Sequence, residues 1–141
     1  MNKLLKKLIV GLLVATPILA LTSGKAAAAV NARVVQKIVK EGVTTTSYSS
    51  GLIGSDTQTF TNDGRVFLHF KKTALVNCTV TVVAQATVQG MALANLTATV
   101  PATTGDIFMG PFPPSIFNDA SGNVSFTLTD EAGLSFEVLK L

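Results

Sequence analysis

The sequence predicts an all-β domain, either a small antiparallel β-sandwich or a partly closed barrel, preceded by a helical signal peptide. From Val30 onward, apolar and polar residues alternate along several short segments rich in Val, Thr and Phe. Clusters of Gly, Pro, Asn and Asp separate these segments at the spacing typical of a sandwich or barrel. Before Val30 the chain is first basic, then apolar, then rich in alanine, which is typical of an export signal.

The predicted signal peptide covers residues 1–29. Small residues at positions −3 and −1 suit signal peptidase, so we expect cleavage between Ala29 and Val30. The apolar run is shorter than the roughly 20 residues that span a bilayer, so we expect no membrane anchor once the signal is removed. The predicted organisation is therefore a signal peptide at 1–29 and a single β domain at 30–141, secreted from the cell.

The basic charge of the chain belongs to this leader. The first 29 residues hold four of the eleven Lys and Arg and none of the eight Asp and Glu. The remainder therefore has seven basic residues against eight acidic ones, a net charge of −1. A domain with this balance lacks the basic surface that nucleic-acid binding requires, so we expect no nucleic-acid partner.

Five segments alternate cleanly and are predicted strands: 65–71, 77–84, 95–100, 123–129 and 134–138. The faces expected to be apolar are Val66, Leu68 and Phe70; Cys78, Val80 and Val82; Leu96, Ala98 and Val100; Val124, Phe126 and Leu128; and Leu134, Phe136 and Val138. Residues 33–40 fit a helix or a strand, and their β-branched residues favour a strand. Residues 44–57 are rich in Ser, Thr and Gly and are predicted to form a loop or an exposed arm.

The residues that could perform chemistry are few. His69 is the only histidine, and it shares the polar face of its strand with Arg65 and Lys71, so we expect it to be solvated. Cys78 is the only cysteine and is predicted to be a buried thiol. No nucleophile turn, phosphate loop or dinucleotide motif occurs. We therefore expect no catalytic residue, no cofactor, no metal ligand and no enzyme activity.

The most distinctive segment is 105–119, which contains three of the eight phenylalanines and three of the five prolines. Prolines withhold backbone donors, so a central strand is not expected where they cluster. One interpretation is an aromatic contact loop for a neighbouring subunit. The alternative is a stiff crossover in which Phe112 and Phe117 cap the core of the domain itself. The candidate contact residues are Phe108, Pro111, Phe112, Pro113, Pro114 and Phe117.

Several of these motifs resemble a group of small tailed-phage structural proteins, over roughly residues 30–141. The similar features are the Asn62-Asp63-Gly64-Arg65 turn with the strand after it, the run 90–96, Val100-Pro101-Ala102, and Gly110-Pro111-Phe112-Pro113-Pro114 followed by Asn118-Asp119. The resemblance implies a capsid-associated β domain of the decoration or minor head protein type, which binds an assembled shell in many copies.

The leader does not fit this pattern, because capsids assemble in the cytoplasm. The protein would belong to the virion if translation starts downstream, for example at Val30, and would otherwise be secreted. The alternative function is a secreted bacterial β-sandwich that binds a surface or self-assembles. Both functions involve a lattice or a homo-oligomer. Strands without charged residues, such as those in 91–100 and 123–129, offer little protection against pairing with another chain.

Overall fold

The computed structural model describes residues 28–49, 52, 54 and 56–141, so most of the predicted signal peptide lies outside the described residues. Within this part of the chain, no helix has the length and hydropathy of a membrane span. The strands are β1 (Val30–Ala32), β2 (Gln36–Lys37), β3 (Thr57–Thr61), β4 (Val66–Lys72), β5 (Cys78–Val82), β6 (Thr87–Val88), β7 (Met91–Ala92), β8 (Leu96–Val100), β9 (Gly105–Met109), β10 (Asn123–Leu128) and β11 (Leu134–Lys140), with one short helix, α1 (Pro114–Phe117).

These strands form two sheets that pack face to face as a sandwich, the first of the two predicted architectures. Sheet A has five strands in the order β1-β3-β10-β5-β8, and sheet B has four in the order β2-β11-β4-β9. The long strands pair antiparallel, whereas β1 joins β3 and β2 joins β11 in parallel. The N-terminal segment therefore contributes one short strand to each sheet. The hairpin β6-β7 stands apart from both sheets.

The core lies between the sheets and consists largely of the predicted apolar faces. Alternate residues of β4, β5, β10 and β11 point inward and are buried, because successive side chains of a strand face opposite ways. Cys78 is buried among them, as predicted. Of the face predicted to be apolar in β8, only Val100 is fully buried. Ala98 is half-buried, and Leu96 is 40% exposed because β8 is an edge strand.

Three segment predictions are wrong in detail. The strand predicted at 33–40 is reduced to the two residues of β2. Strand β3 was not predicted, because its inward positions are Gln58 and Phe60 and a buried glutamine hides the apolar alternation. The amide oxygen of Gln58 is satisfied by the Arg33 Nε–H, at 2.7 Å. Strand β9 occupies the first third of the segment predicted as a loop or crossover.

Lys72 ends β4 on the inner face and is only 1% exposed, although lysine is rarely buried without a partner. Its Nζ donates to Asp130 Oδ1 and to the Ala132 carbonyl, both at 2.7 Å. The hydrogen bond from Lys72 lowers the pKa of Asp130 below its usual value. This buried charge is thus satisfied by the turn that joins β10 to β11.

Candidate contact surface

A shallow apolar depression lies on the outer side of sheet B, and we call it the aromatic groove. It has a volume of about 420 Å³. Its lining residues come from the turn before β4, from β4, from β9 and the loop after it, and from the C-terminus: Gly64, Arg65, Phe67, Phe108, Gly110, Pro111 and Leu141. These residues are far apart in sequence and meet because β4 lies beside β9 with His69 opposite Phe108. The groove includes Phe108 and Pro111 of the six predicted contact residues.

Phe108 is the most exposed aromatic side chain at the groove, with 63% of its surface accessible. Its ring stacks on the His69 ring with centroids 4.1 Å apart and planes 6° from parallel. The Phe67 ring is also near, with its centroid 6.0 Å from that of Phe108 and its plane tilted by 51°. An exposed phenylalanine that stacks on one ring and lies near a second has little rotamer freedom to lose on binding, which favours a contact role.

His69 lies on the outer face of β4, as predicted, but it is not solvated. Its side chain is 13% exposed, because the ring of Phe108 covers it. His69 Nε2 is 2.7 Å from Asp106 Oδ1, and Nδ1 is 3.6 Å from Glu137 Oε2. Thr45 donates from its hydroxyl to the other oxygen of Glu137, at 2.7 Å. These contacts fix the histidine ring and, through it, the position of Phe108.

Charged side chains at the rim of the groove are paired with one another. Asp63 accepts from Arg65 at 3.4 Å and also contacts the ammonium of Lys140. The hydrogen bond from Lys140 lowers the pKa of Asp63 to about 2, so this carboxylate stays charged in all but strong acid. Arg65, which lines the groove, is thus a paired charge beside an apolar floor.

The structure divides the predicted contact residues into two groups. Phe108, Pro111, Pro113 and Pro114 are exposed. Phe112 is completely buried, with its ring centroid 5.8 Å from those of Phe60 and Phe117. Phe117 is partly buried against the same core. The prediction that Phe112 is a contact residue is therefore wrong. Its ring fills the end of the core, as the alternative interpretation expected.

The backbone of the loop is fixed by two asparagines of the resemblance motifs. Asn62 is 5% exposed and donates from Nδ2 to the Phe112 carbonyl, at 2.9 Å, and to Asn118 Oδ1, at 2.7 Å. Asn118 donates back to the Asn62 carbonyl at 2.9 Å. This pair ties the turn before β4 to the end of α1, so both walls of the groove are held by the same hydrogen bonds.

Two further elements without charged residues reach solvent, the separate hairpin β6-β7 and the edge strand β8 of sheet A. The hairpin β6-β7 has every residue exposed, with Val88 at 54% and Met91 at 68%. Strand β8 pairs with β5 on one side and is the last strand of its sheet. The predicted cleavage residues lie at the opposite edge, where Val30 begins β1 and Ala29 precedes it, both exposed.

Among the described residues, no group of three or more His, Cys, Asp or Glu side chains is placed to hold a metal ion. No protein-family model matches the chain, and no curated protein or solved structure matches it either.

Proposed function

We propose that this protein is a non-enzymatic structural protein of the phage capsid-decoration or minor virion type. In this proposal the aromatic groove docks on the outside of an assembled shell, and many copies occupy equivalent positions. The observation that carries the proposal is Phe108, a large apolar side chain that is presented to solvent and held in place by His69 and Phe67. Aromatic side chains at the centre of a contact supply much of the binding energy of protein interfaces.

The rest of the outer surface supports an assembled protein. The exposed hairpin β6-β7 and the edge strand β8 carry no charged residue, and soluble monomers commonly place lysine or proline at such edges. A net charge of −1 after residue 29 gives little repulsion between copies. A multi-copy arrangement, on a lattice or as a homo-oligomer, would cover these elements.

The second candidate is a secreted bacterial β-sandwich that binds a surface or self-assembles outside the cell. The leader at 1–29 favours it, because cytoplasmic shell assembly requires no export. The same groove and edges would then contact a cell surface or further copies of the chain. The two functions differ in location and partner and share the proposed contact surface.

Replacing Phe108 with serine is expected to weaken shell binding at least about tenfold, because a central aromatic contact contributes about 2 kcal/mol or more. The measurement is co-sedimentation of the purified protein with assembled shells of the phage or prophage whose genome carries the gene. Leu75→Ser is the matched control, since Leu75 is 86% exposed in the turn after β4, at the end opposite the groove. Equal binding by both variants, at equal thermal stability, would contradict the assignment of the groove.

A further inference from the structure

The buried carboxylate of Asp56 accepts hydrogen bonds from the N-terminal segment of the domain. Asp56 is 5% exposed and immediately precedes β3. Its Oδ1 accepts from the backbone N–H of Ala29 at 2.9 Å, and its Oδ2 accepts from Asn31 Nδ2 at 3.0 Å. Both oxygens therefore face the chain at the residues where the leader joins the domain.

No cation of the domain neutralises this carboxylate. All seven Lys and Arg after residue 29 are among the described residues, and none of them forms an ion pair with Asp56. Of the two segments that meet here, 28–33 and 56–61, the other charged side chain is Arg33. Arg33 instead donates to Gln58 and lies over the ring of Tyr48. A buried charge without a counter-charge is costly, so a cationic group beside Asp56 would stabilise the fold.

The alanine run of the leader allows two cleavage positions. Ala27 and Ala29 satisfy the small-residue rule for a cut before Val30, and Ala26 and Ala28 satisfy it equally for a cut one residue earlier. Cleavage before Val30 would remove the Ala29 N–H bound to Asp56. It would also remove the Ala29 carbonyl, which accepts from the Thr57 N–H at 2.9 Å. Cleavage before Ala29 keeps both groups in the mature fold.

We propose that the chain is processed between Ala28 and Ala29, and that the new α-ammonium of Ala29 is the counter-ion of Asp56. Water hydrolyses the peptide bond in the exporting cell's signal peptidase. Ala28 keeps the carboxylate of the released leader, and the nitrogen of Ala29 takes up a proton. The ammonium stands where the amide N–H stands in the uncut chain, within hydrogen-bond distance of Asp56 Oδ1. Processing thus supplies a counter-charge at the edge of sheet A in the exported protein, the form that the second candidate function requires.

The cleavage position is tested directly by expressing the full chain, with its leader, in an exporting bacterium. Intact mass and N-terminal sequencing of the recovered protein are expected to show Ala29 as the first residue. A first residue of Val30, or an uncut chain beginning at Met1, would overturn the proposal.

The ion pair has a separate readout in the pH dependence of Tm. A carboxylate partner favours the charged amine, so the stabilisation is present at neutral pH and is lost as the pH rises through the titration of the amine, on the alkaline side of neutrality. Asp56→Asn is expected to lower Tm by about 5 °C at neutral pH, with the difference shrinking in alkali. Glu41→Gln is the control, since the Glu41 side chain is 68% exposed and pairs with exposed Lys40.

Acetylation of the α-amine of the purified mature protein provides the test if Asp56→Asn does not fold. The acetylated protein is expected to show a lower neutral-pH Tm and a flat alkaline profile. The proposed ion pair would be contradicted if acetylation left the neutral-pH Tm unchanged. It would also be contradicted if the Tm of the acetylated and free proteins changed in the same way with rising pH.

Discussion

Replacing Phe112 with alanine is expected to lower the free energy of unfolding by about 4 kcal/mol, because a large aromatic side chain in the core leaves a cavity when it is truncated. Phe112 is fully buried and packs between Phe60 and Phe117. Small domains have a total stability of about 5–15 kcal/mol, so this single change would bring the protein close to unfolding. Urea unfolding followed by circular dichroism measures the difference.

The matched control for this experiment is Phe108→Ala, a substitution of the same size in the same segment. Phe108 is 63% exposed, so its truncation leaves no internal cavity and is expected to cost less than about 1 kcal/mol. The Phe112 variant therefore reports on the stability of the fold, and the Phe108 variant reports on binding. A similar loss of stability in both variants would contradict the division of this segment into a core side and a contact side.

Gly110→Ala is expected to destabilise the fold by about 3 kcal/mol, through backbone strain and steric conflict together. Gly110 has a φ of +120°, a conformation that L residues rarely adopt. A Cβ at this position would lie 3.0 Å from Phe67 Cα, Phe67 Cβ and the Val66 carbonyl oxygen. The backbone at Gly110 passes this close to β4 because it forms the wall of the aromatic groove.

Gly90→Ala provides the comparison, because Gly90 also has a positive φ, +80°, but a Cβ there would meet nothing within 4 Å. It is expected to cost about 1 kcal/mol, from backbone strain alone. Urea midpoints of both variants, at unchanged m-values, give the two differences. Equal losses would show that the close approach of Gly110 to β4 contributes nothing.

The longest strands could be predicted from sequence because their inward positions are uniformly apolar. In β4, β5, β10 and β11 the alternation of Val, Leu, Phe and Cys with polar residues gives both the strand and its buried face. Strand β3 breaks this rule at Gln58, and β4 breaks it at Lys72. The Lys72 ammonium and the Gln58 amide oxygen find partners in distant segments, which cannot be read from local sequence. The Gln58 Nε2 has no hydrogen-bond partner among the described residues.

The contact surface could be predicted only in part. Within 105–109 the alternation of Asp106 and Phe108 with Ile107 and Met109 was a strand pattern, and it places Phe108 outward. The proline cluster that follows predicted contact residues on both sides of the loop, and it could not separate exposed Phe108 from buried Phe112. The groove itself depends on Leu141 at the C-terminus and on the pairing of β4 with β9, so it required the topology of the sheet.

The central claim, that the protein works in many copies on an assembled shell, is tested most directly by locating the native protein. Phage particles are induced from the host that carries the gene, and quantitative mass spectrometry compares purified particles with the particle-free medium. The account predicts that the chain is a component of the particles and is present in many copies per particle. A protein that is absent from the particles and recovered free in the medium or on the cell surface would contradict it and support the secreted alternative.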